Sequence, residues 1–133
     1  MKMHIEKDFG KARALLEMAE ITLKRLNEFN ITKYPSNSLI DYYDIIHKLC
    51  EALCFTEGVK FKGEKAHFEL INYICNGYGF NLSDEQFLQD LREYRNRISY
   101  EGFSVRTDFI KNNSARITKI INTLIKLVKE RIK

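Results

Sequence analysis

Apolar residues along this chain recur at steps of three and four, the spacing that lines them up on one face of an α-helix. Phe9, Ala12, Leu16, Ala19, Leu23 and Leu26 step by 3,4,3,4,3 and predict a first helix over residues 6–29. The segment Tyr34-Pro35-Ser36-Asn37-Ser38 interrupts that pattern and offers side chains to cap a second helix over 37–57. Leu39, Tyr42, Ile46, Leu49 and Leu53 carry its seam, and Tyr43, Cys50 and Cys54 widen the apolar arc. Such a wide arc is expected of a central, well-buried helix, here stopping near Gly58. The stretch from Gly58 to Lys65 reads as a short basic loop. Phe68, Ile71, Cys75 and Tyr78 then predict a shorter third helix over 64–77, stopped by Asn76-Gly77-Tyr78-Gly79. Ser83-Asp84-Glu85-Gln86 reads as a capping box opening a fourth helix over 83–101, with Phe87, Leu91, Tyr94 and Ile98 on its apolar face. Ile110, Ile117, Ile120, Leu124 and Leu127 run down a last helix over 106–131.

No segment alternates polar and apolar residues for long, and there is no internal repeat and no linker. The pattern predicts an all-α fold, an up-and-down bundle of four long helices plus one shorter helix, with residues 1–133 forming a single domain. A hydrophobic fraction of 44% supplies a core and a charged fraction of 30% a wet surface. One proline and six glycines exclude collagen-like and low-complexity classes. No apolar run nears the roughly 18 residues of a membrane span, and the opening residues lack the apolar stretch of a signal peptide. Cys50, Cys54 and Cys75, an odd number in apolar surroundings, predict reduced core thiols. These features together predict a cytoplasmic protein without membrane association.

The net charge of +4 is unevenly spread. From Arg106 to Lys133 there are eight Lys/Arg against two Asp/Glu, whereas the first 105 residues hold fourteen against sixteen. A basic last helix on a nearly neutral body permits contact with a polyanion, although lysine-rich helices also serve simply as solvated faces.

Most enzyme signatures are absent: no phosphate-binding glycine loop, no G-x-S-x-G, no H-E-x-x-H and no paired C-x-x-C. His47, Cys50 and Cys54 lie along one side of the second helix, with Cys75 as a distant fourth soft ligand. The cysteines flank the apolar seam, where a free thiol behaves as a small hydrophobe, so core packing is the expected role and neither metal nor cofactor is predicted. His67, beside the basic loop, is expected as a polar surface residue or as part of an active cleft. The informative stretch is Leu91-Arg92-Glu93-Tyr94-Arg95-Asn96-Arg97-Ile98-Ser99-Tyr100-Glu101-Gly102. At about 100° per residue Arg95 falls on the border of the buried arc, on a flank shared with Leu88, Arg92, Asn96 and Ser99. An arginine there is costly unless it is paired or faces a cleft or a partner subunit. Asp44 or Glu69 on a neighbouring helix would satisfy it as an ordinary ion pair.

The stretch from Arg95 to Gly102 resembles the hallmark of the HEPN superfamily of small helical-bundle proteins: an arginine, a polar residue that is often asparagine, and a histidine four to six positions after the arginine. Lys11–Glu20 resembles that family's first helix, and Glu57-Gly58-Val59-Lys60 with the following helix resembles its middle. The resemblance implies metal-independent RNA cleavage, in which the ribose 2′-hydroxyl attacks the adjacent phosphate at a site shared across a homodimer. It implies that Arg95 binds the phosphate, Asn96 positions it and Tyr100 hydrogen-bonds across the dimer. It further implies membership of a toxin–antitoxin or defence system, beside a minimal nucleotidyltransferase partner. The departure is Ser99, which stands where the histidine would fall, and no histidine occurs after His67. A serine hydroxyl stays protonated near neutral pH without an activating base. RNA binding is therefore expected to outlast cleavage, which would be weak or lost, with His67 the substitute base to test. The alternative is a non-catalytic homodimeric interaction module that docks a protein partner and closes Arg95 into an interface ion pair.

Overall fold

The computed structural model describes residues 1–133 as five helices and one small sheet: β1 (Lys2–His4), α1 (Phe9–Asn27), α2 (Pro35–Glu57), β2 (Val59–Phe61), α3 (Ala66–Gly77), α4 (Leu82–Glu101) and α5 (Thr107–Arg131). Helix ends fall within three residues of those the periodicity predicts. The expected class is right in that helices dominate, and it lacks the sheet.

α1 starts where the Asp8 carboxylate accepts a hydrogen bond from Lys11 N at 2.9 Å, satisfying one of the unpaired amides of its first turn. It buries Ala12, Leu16, Ala19 and Leu26, mainly against α2. α2 opens with Pro35, tolerated at the first helical position because that amide has no intrahelical partner. The serines expected to cap α2 do other work. Ser38 Oγ donates to Ile31 O at 2.7 Å, and Ser36 Oγ accepts from Val105 N at 3.0 Å, tying the start of α2 to the α4–α5 connection. α1, α3, α4, α5 and β2 all pack on α2, and Leu39, Ile46, Leu49 and Leu53 are completely enclosed.

Gly58 ends α2 in the left-handed conformation at φ 74°, with its N–H bonded to Cys54 O. The chain then enters β2, which pairs antiparallel with β1 in the register Lys2↔Phe61, Met3↔Lys60 and His4↔Val59. This corrects the expected loop and also delays α1, whose approach is occupied by β1. Strands of three residues are too short to display alternation, and their pairing joins distant parts of the chain. Around the sheet, Ile5 N donates to Gly58 O and Asp8 N to Phe55 O, clamping the chain ahead of α1 onto the end of α2.

Two further expectations shift. α3 buries Leu70, Ile71, Ile74 and Cys75, whereas Phe68 stays 45% exposed, so its apolar face is rotated from the one anticipated. α4 is capped by Asn81, whose side chain accepts from Asp84 N at 2.7 Å. Ser83 lies inside the first turn and accepts from Arg116 instead, while Gln86 bonds Asp90, so no capping box forms. On α5, Ile110, Ile117, Ile120, Ile121, Leu124 and Val128 are buried, with Leu127 half-buried.

A Cβ placed on Gly58 would stand 2.7 Å from Ile5 O, whereas one on Gly102, which ends α4 at φ 67°, would meet nothing within 4 Å. Gly102→Ala should therefore cost only the left-handed penalty of about 1–2 kcal/mol. Gly58→Ala should cost clearly more, because the obstructing backbone is held by its own hydrogen bond. Thermal unfolding of the two variants checks this ordering.

Candidate functional site

Helix periodicity places Tyr43, His47 and Glu51, each four residues from the last, in a single row along α2. The row faces the start of α3, where His67 is the second helical residue. The His47 and His67 rings lie 4.2 Å apart between centroids, and the Tyr43 ring stacks toward them at 6.1 and 6.4 Å. His47 Nδ1 lies 3.2 Å from Glu51 Oε1. That contact orients the imidazole and leaves its Nε2 for other partners.

α4 brings two arginines to this cluster. Arg92 Nε donates to Gln89 Oε1 at 2.8 Å, and the buried Gln89 donates to Phe68 O at 3.0 Å. The Arg92 guanidinium also covers the Phe68 ring at 5.5 Å, which accounts for that residue's outward position. Gln89 thus ties the first turn of α3 to α4 and holds Arg92 in place. Arg95 is different. It is half-buried, its Nε is enclosed without an acceptor, and no carboxylate lies within ion-pair range of it. The ion pair expected with Asp44 or Glu69 is absent: Glu69 is held by the Met1 amino group at 2.6 Å, and Asp44 pairs with nothing.

The only other enclosed side-chain polar atom without a partner is the Tyr43 hydroxyl. Leaving a buried donor unpaired costs about 1–3 kcal/mol. Elsewhere the fold meets such demands: Glu57 accepts from both Tyr73 and Tyr78, and Thr56 accepts from Arg131. The charges of Arg92 and Arg95 both act on Tyr43, lowering its pKa against the burial that raises it.

The electrostatics follow from this geometry. Burial lowers the His67 pKa, the neighbouring His47 and the Arg95 and Arg92 cations lower it further, and Glu51 opposes them without prevailing. Although His67 keeps an exposed edge, its inner face packs on His47, and at neutral pH the ring is an uncharged proton acceptor. Burial alone would raise Glu51, but the His47 hydrogen bond and the charges of His47, His67 and Lys48 outweigh it and keep the carboxyl below its ordinary value. Burial raises Tyr43 well above an ordinary phenol, so its hydroxyl remains a donor. Beneath the histidines a cavity of about 110 Å³ runs between α2, β2 and α3, bounded by His47, Glu51 and His67 and by apolar Phe55, Val59 and Phe61. Small-molecule pockets usually span roughly 300–1,000 Å³, so this one takes a small group and not a nucleoside.

Of the residues singled out in the sequence, Arg95 acts on His67 through its charge, which lowers the His67 pKa. Asn96 is half-buried with no side-chain hydrogen bond, Ser99 is exposed, and Tyr100 is 79% exposed with no partner. These three continue along the outer flank of α4. His47 faces His67, and no group of three or more His, Cys, Asp or Glu side chains converges as metal ligands would. All three thiols are free and buried; burial pushes Cys54 and Cys75 up to about 12 and Cys50 well above its ordinary value, so they remain protonated. Sequence reasoning missed Tyr43 and Glu51 as site residues. Their signal was the four-residue spacing with His47 along the central helix. On α5, Arg116 pairs with Asp84 and Lys129 with Glu20, while Lys111, Lys119 and Lys126 stay exposed without ion pairs.

The chain shows no match to any protein-family model, curated protein or solved structure.

His67 should titrate below the ordinary histidine value of about 6.5 in a pH series of ¹H–¹⁵N NMR spectra. His47→Gln or Arg95→Gln should move it back up, since each removes a charge that opposes protonation. Because the unfolded chain takes this proton more readily, stability should fall as pH drops from about 6.5 toward the folded-state pKa and be independent of this group well above about 6.5. An unshifted His67 in the wild type would contradict the packing described.

Proposed function

We propose that this chain is a HEPN-like, ribonuclease-derived RNA-binding protein, an up-and-down bundle of four long helices and one shorter helix that meets RNA at the α2–α3–α4 cluster. The observation that carries this reading is Arg95, a half-buried guanidinium with an unpartnered Nε and no carboxylate. Guanidinium groups bind phosphate oxygens through paired, charge-assisted hydrogen bonds, and here the Arg92 and Arg95 charges reach both Tyr43 and His67. In this reading Arg95 takes the backbone phosphate and Asn96 positions the strand. Tyr100 reaches across a homodimer, and the exposed lysines of α5 extend the attraction. Ser99 brings no titrating group near neutrality, so metal-independent cleavage is weak. The resemblance that motivates this reading also suggests a cytoplasmic toxin–antitoxin or defence role beside a nucleotidyltransferase.

A second reading, a homodimeric interaction module without catalysis, is favoured by Tyr100 and Leu82, 79% and 82% exposed on α4. Both residues lie on one angular face of that helix, as their separation of five full turns requires.

Fluorescence anisotropy with a labelled single-stranded RNA at low salt tests the first reading. Arg95→Ala should weaken binding about tenfold and flatten the salt dependence by roughly one phosphate contact. Unchanged affinity would remove Arg95 from the interface, and no binding by the wild type would leave the interaction module. Light scattering at high micromolar concentration should give the mass of a dimer, and Tyr100→Ala should shift it toward monomer. Ser99→His should raise cleavage of the same RNA, and adding Arg95→Ala should abolish that gain.

A further inference from the structure

The end of α1, the connection after it and the start of α2 border an open cavity of about 540 Å³, away from the α2–α3–α4 cluster. Its volume lies within the roughly 300–1,000 Å³ of small-molecule pockets. Two aromatic rings stand at it with most of their surface in water, Phe29 at 66% and Tyr34 at 59% exposed. Rings left so open forgo the gain that burial of apolar surface brings. At the same cavity Arg25 Nη2 lies 3.5 Å from Asp41 Oδ2, longer than the roughly 2.7–2.9 Å of a charge-assisted hydrogen bond. We propose that this cavity binds the guanine base of a free nucleoside or nucleotide, stacked on the aromatic rings with its Watson–Crick edge on Asp41 and Arg25.

The choice of base follows from the order of donors and acceptors. Along its edge guanine presents the N2 amino group, N1–H and O6: two donors, then an acceptor. A carboxylate with an arginine beside it offers the complement, two accepting oxygens and then a forked donor. Adenine would set the lone pair of its N1 against the carboxylate, and cytosine would do the same with N3. Uracil flanks its single N–H with two carbonyls. The Asp41 side chain is 33% exposed, and Arg25 is its only ion-pair partner. Burial raises the Asp41 pKa and Asp44 adds to the rise, while Arg25 and Lys48 oppose it. A carboxylate so placed is short of hydrogen-bond donors, and two N–H groups of a base supply them.

The connection that carries the two rings is already fixed. Ser38 Oγ donates to Ile31 O, Asn30 Oδ1 accepts from Thr32 N at 3.1 Å and from Thr32 Oγ1 at 2.6 Å, and Thr107 Oγ1 donates to Thr32 O at 3.3 Å. Phe29 and Tyr34 therefore flank a turn tied to both α2 and α5, and little ordering remains to be done on binding. With its oxygen engaged, Asn30 keeps its amide N–H groups for a ligand, and Asn37 brings a second amide to the same cavity. The inference stands apart from the RNA reading, because no residue of α3, α4 or α5 lines this cavity.

The test is a ¹H–¹⁵N NMR titration of the full chain with GMP, IMP and AMP, which share ribose and phosphate and differ only at the base. IMP lacks just the 2-amino group. GMP should shift amides of residues 25–41 around the cavity and bind about tenfold or more tighter than IMP or AMP. Asp41→Asn should weaken GMP about tenfold and remove most of its preference over IMP, since an amide offers one acceptor where the carboxylate offers two. Phe29→Ala and Tyr34→Ala, at exposed positions that keep the fold, should each weaken all three nucleotides alike, about fivefold or more, because stacking does not read the edge of a base. Arg95→Ala should leave GMP affinity unchanged whatever it does to RNA binding. Equal affinity for the three nucleotides overturns the proposal, as does a GMP preference that survives Asp41→Asn. Silence of residues 25–41 at millimolar GMP also overturns it, including when shifts common to all three nucleotides mark phosphate binding at the α2–α3–α4 cluster. Each of these failures leaves the RNA reading to its own test.

Discussion

Enclosure of α2 is the constraint on which the rest of the molecule depends. Its apolar residues cover most of its circumference, so every other helix and β2 must pack against it to keep water away. Each fully buried aliphatic side chain contributes about 1.5–3 kcal/mol relative to exposure, and none of the surrounding elements can withdraw without exposing several. α1 and α5 touch one another as well as α2, and α3 and α4 do the same. The polar row Tyr43–His47–Glu51 runs from an enclosed tyrosine to half-buried His47 and Glu51. It lies where α3 begins beside α4, which is how three ionisable groups of a central helix meet a histidine and two arginines.

Arg92 and Arg95, two of the three arginines of α4, are treated differently by the fold. Arg92 is engaged by Gln89, lies on Phe68, and through Gln89 is linked to the backbone of α3. One turn further on, Arg95 brings the same charge into the same region and receives no acceptor at its buried Nε. Tyr43 adds a second unanswered donor. A chain that satisfies Glu57, Tyr73, Tyr78 and Thr56 within its own structure leaves the enclosed Arg95 Nε and Tyr43 hydroxyl without partners. Such groups reduce stability.

The small sheet contributes to that site without touching its chemistry. β2 forms one wall of the cavity beneath the histidines, and pairing with β1 keeps it there. Gly58 makes the junction, since its left-handed backbone and missing side chain let α2 end directly against Ile5. The basic residues of α5 are less uniform than their count suggests. Arg116 and Lys129 are committed to carboxylates and Arg131 to Thr56, which leaves a smaller set of lysines facing solvent.

Helix number, order and approximate ends were legible in the amino-acid sequence because periodicity of three to four residues and glycine stops are local properties. The seam of α2 and the border position of Arg95 were legible for the same reason. β1 and β2 were not, since three residues carry no periodicity and each exists only by pairing with the other. The caps of α2 and α4 were misplaced because several neighbouring polar residues competed for one role, and tertiary partners such as Arg116 and Val105 N decided among them. The sequence held a spacing of four between Tyr43, His47 and Glu51, but spacing places residues on one helix face without saying what that face meets. Only packing could bring His67 onto His47, give Glu69 to the Met1 amino group, and leave Arg95 unpaired. Those outcomes depend on distances between segments far apart in the chain, and no local pattern encodes them.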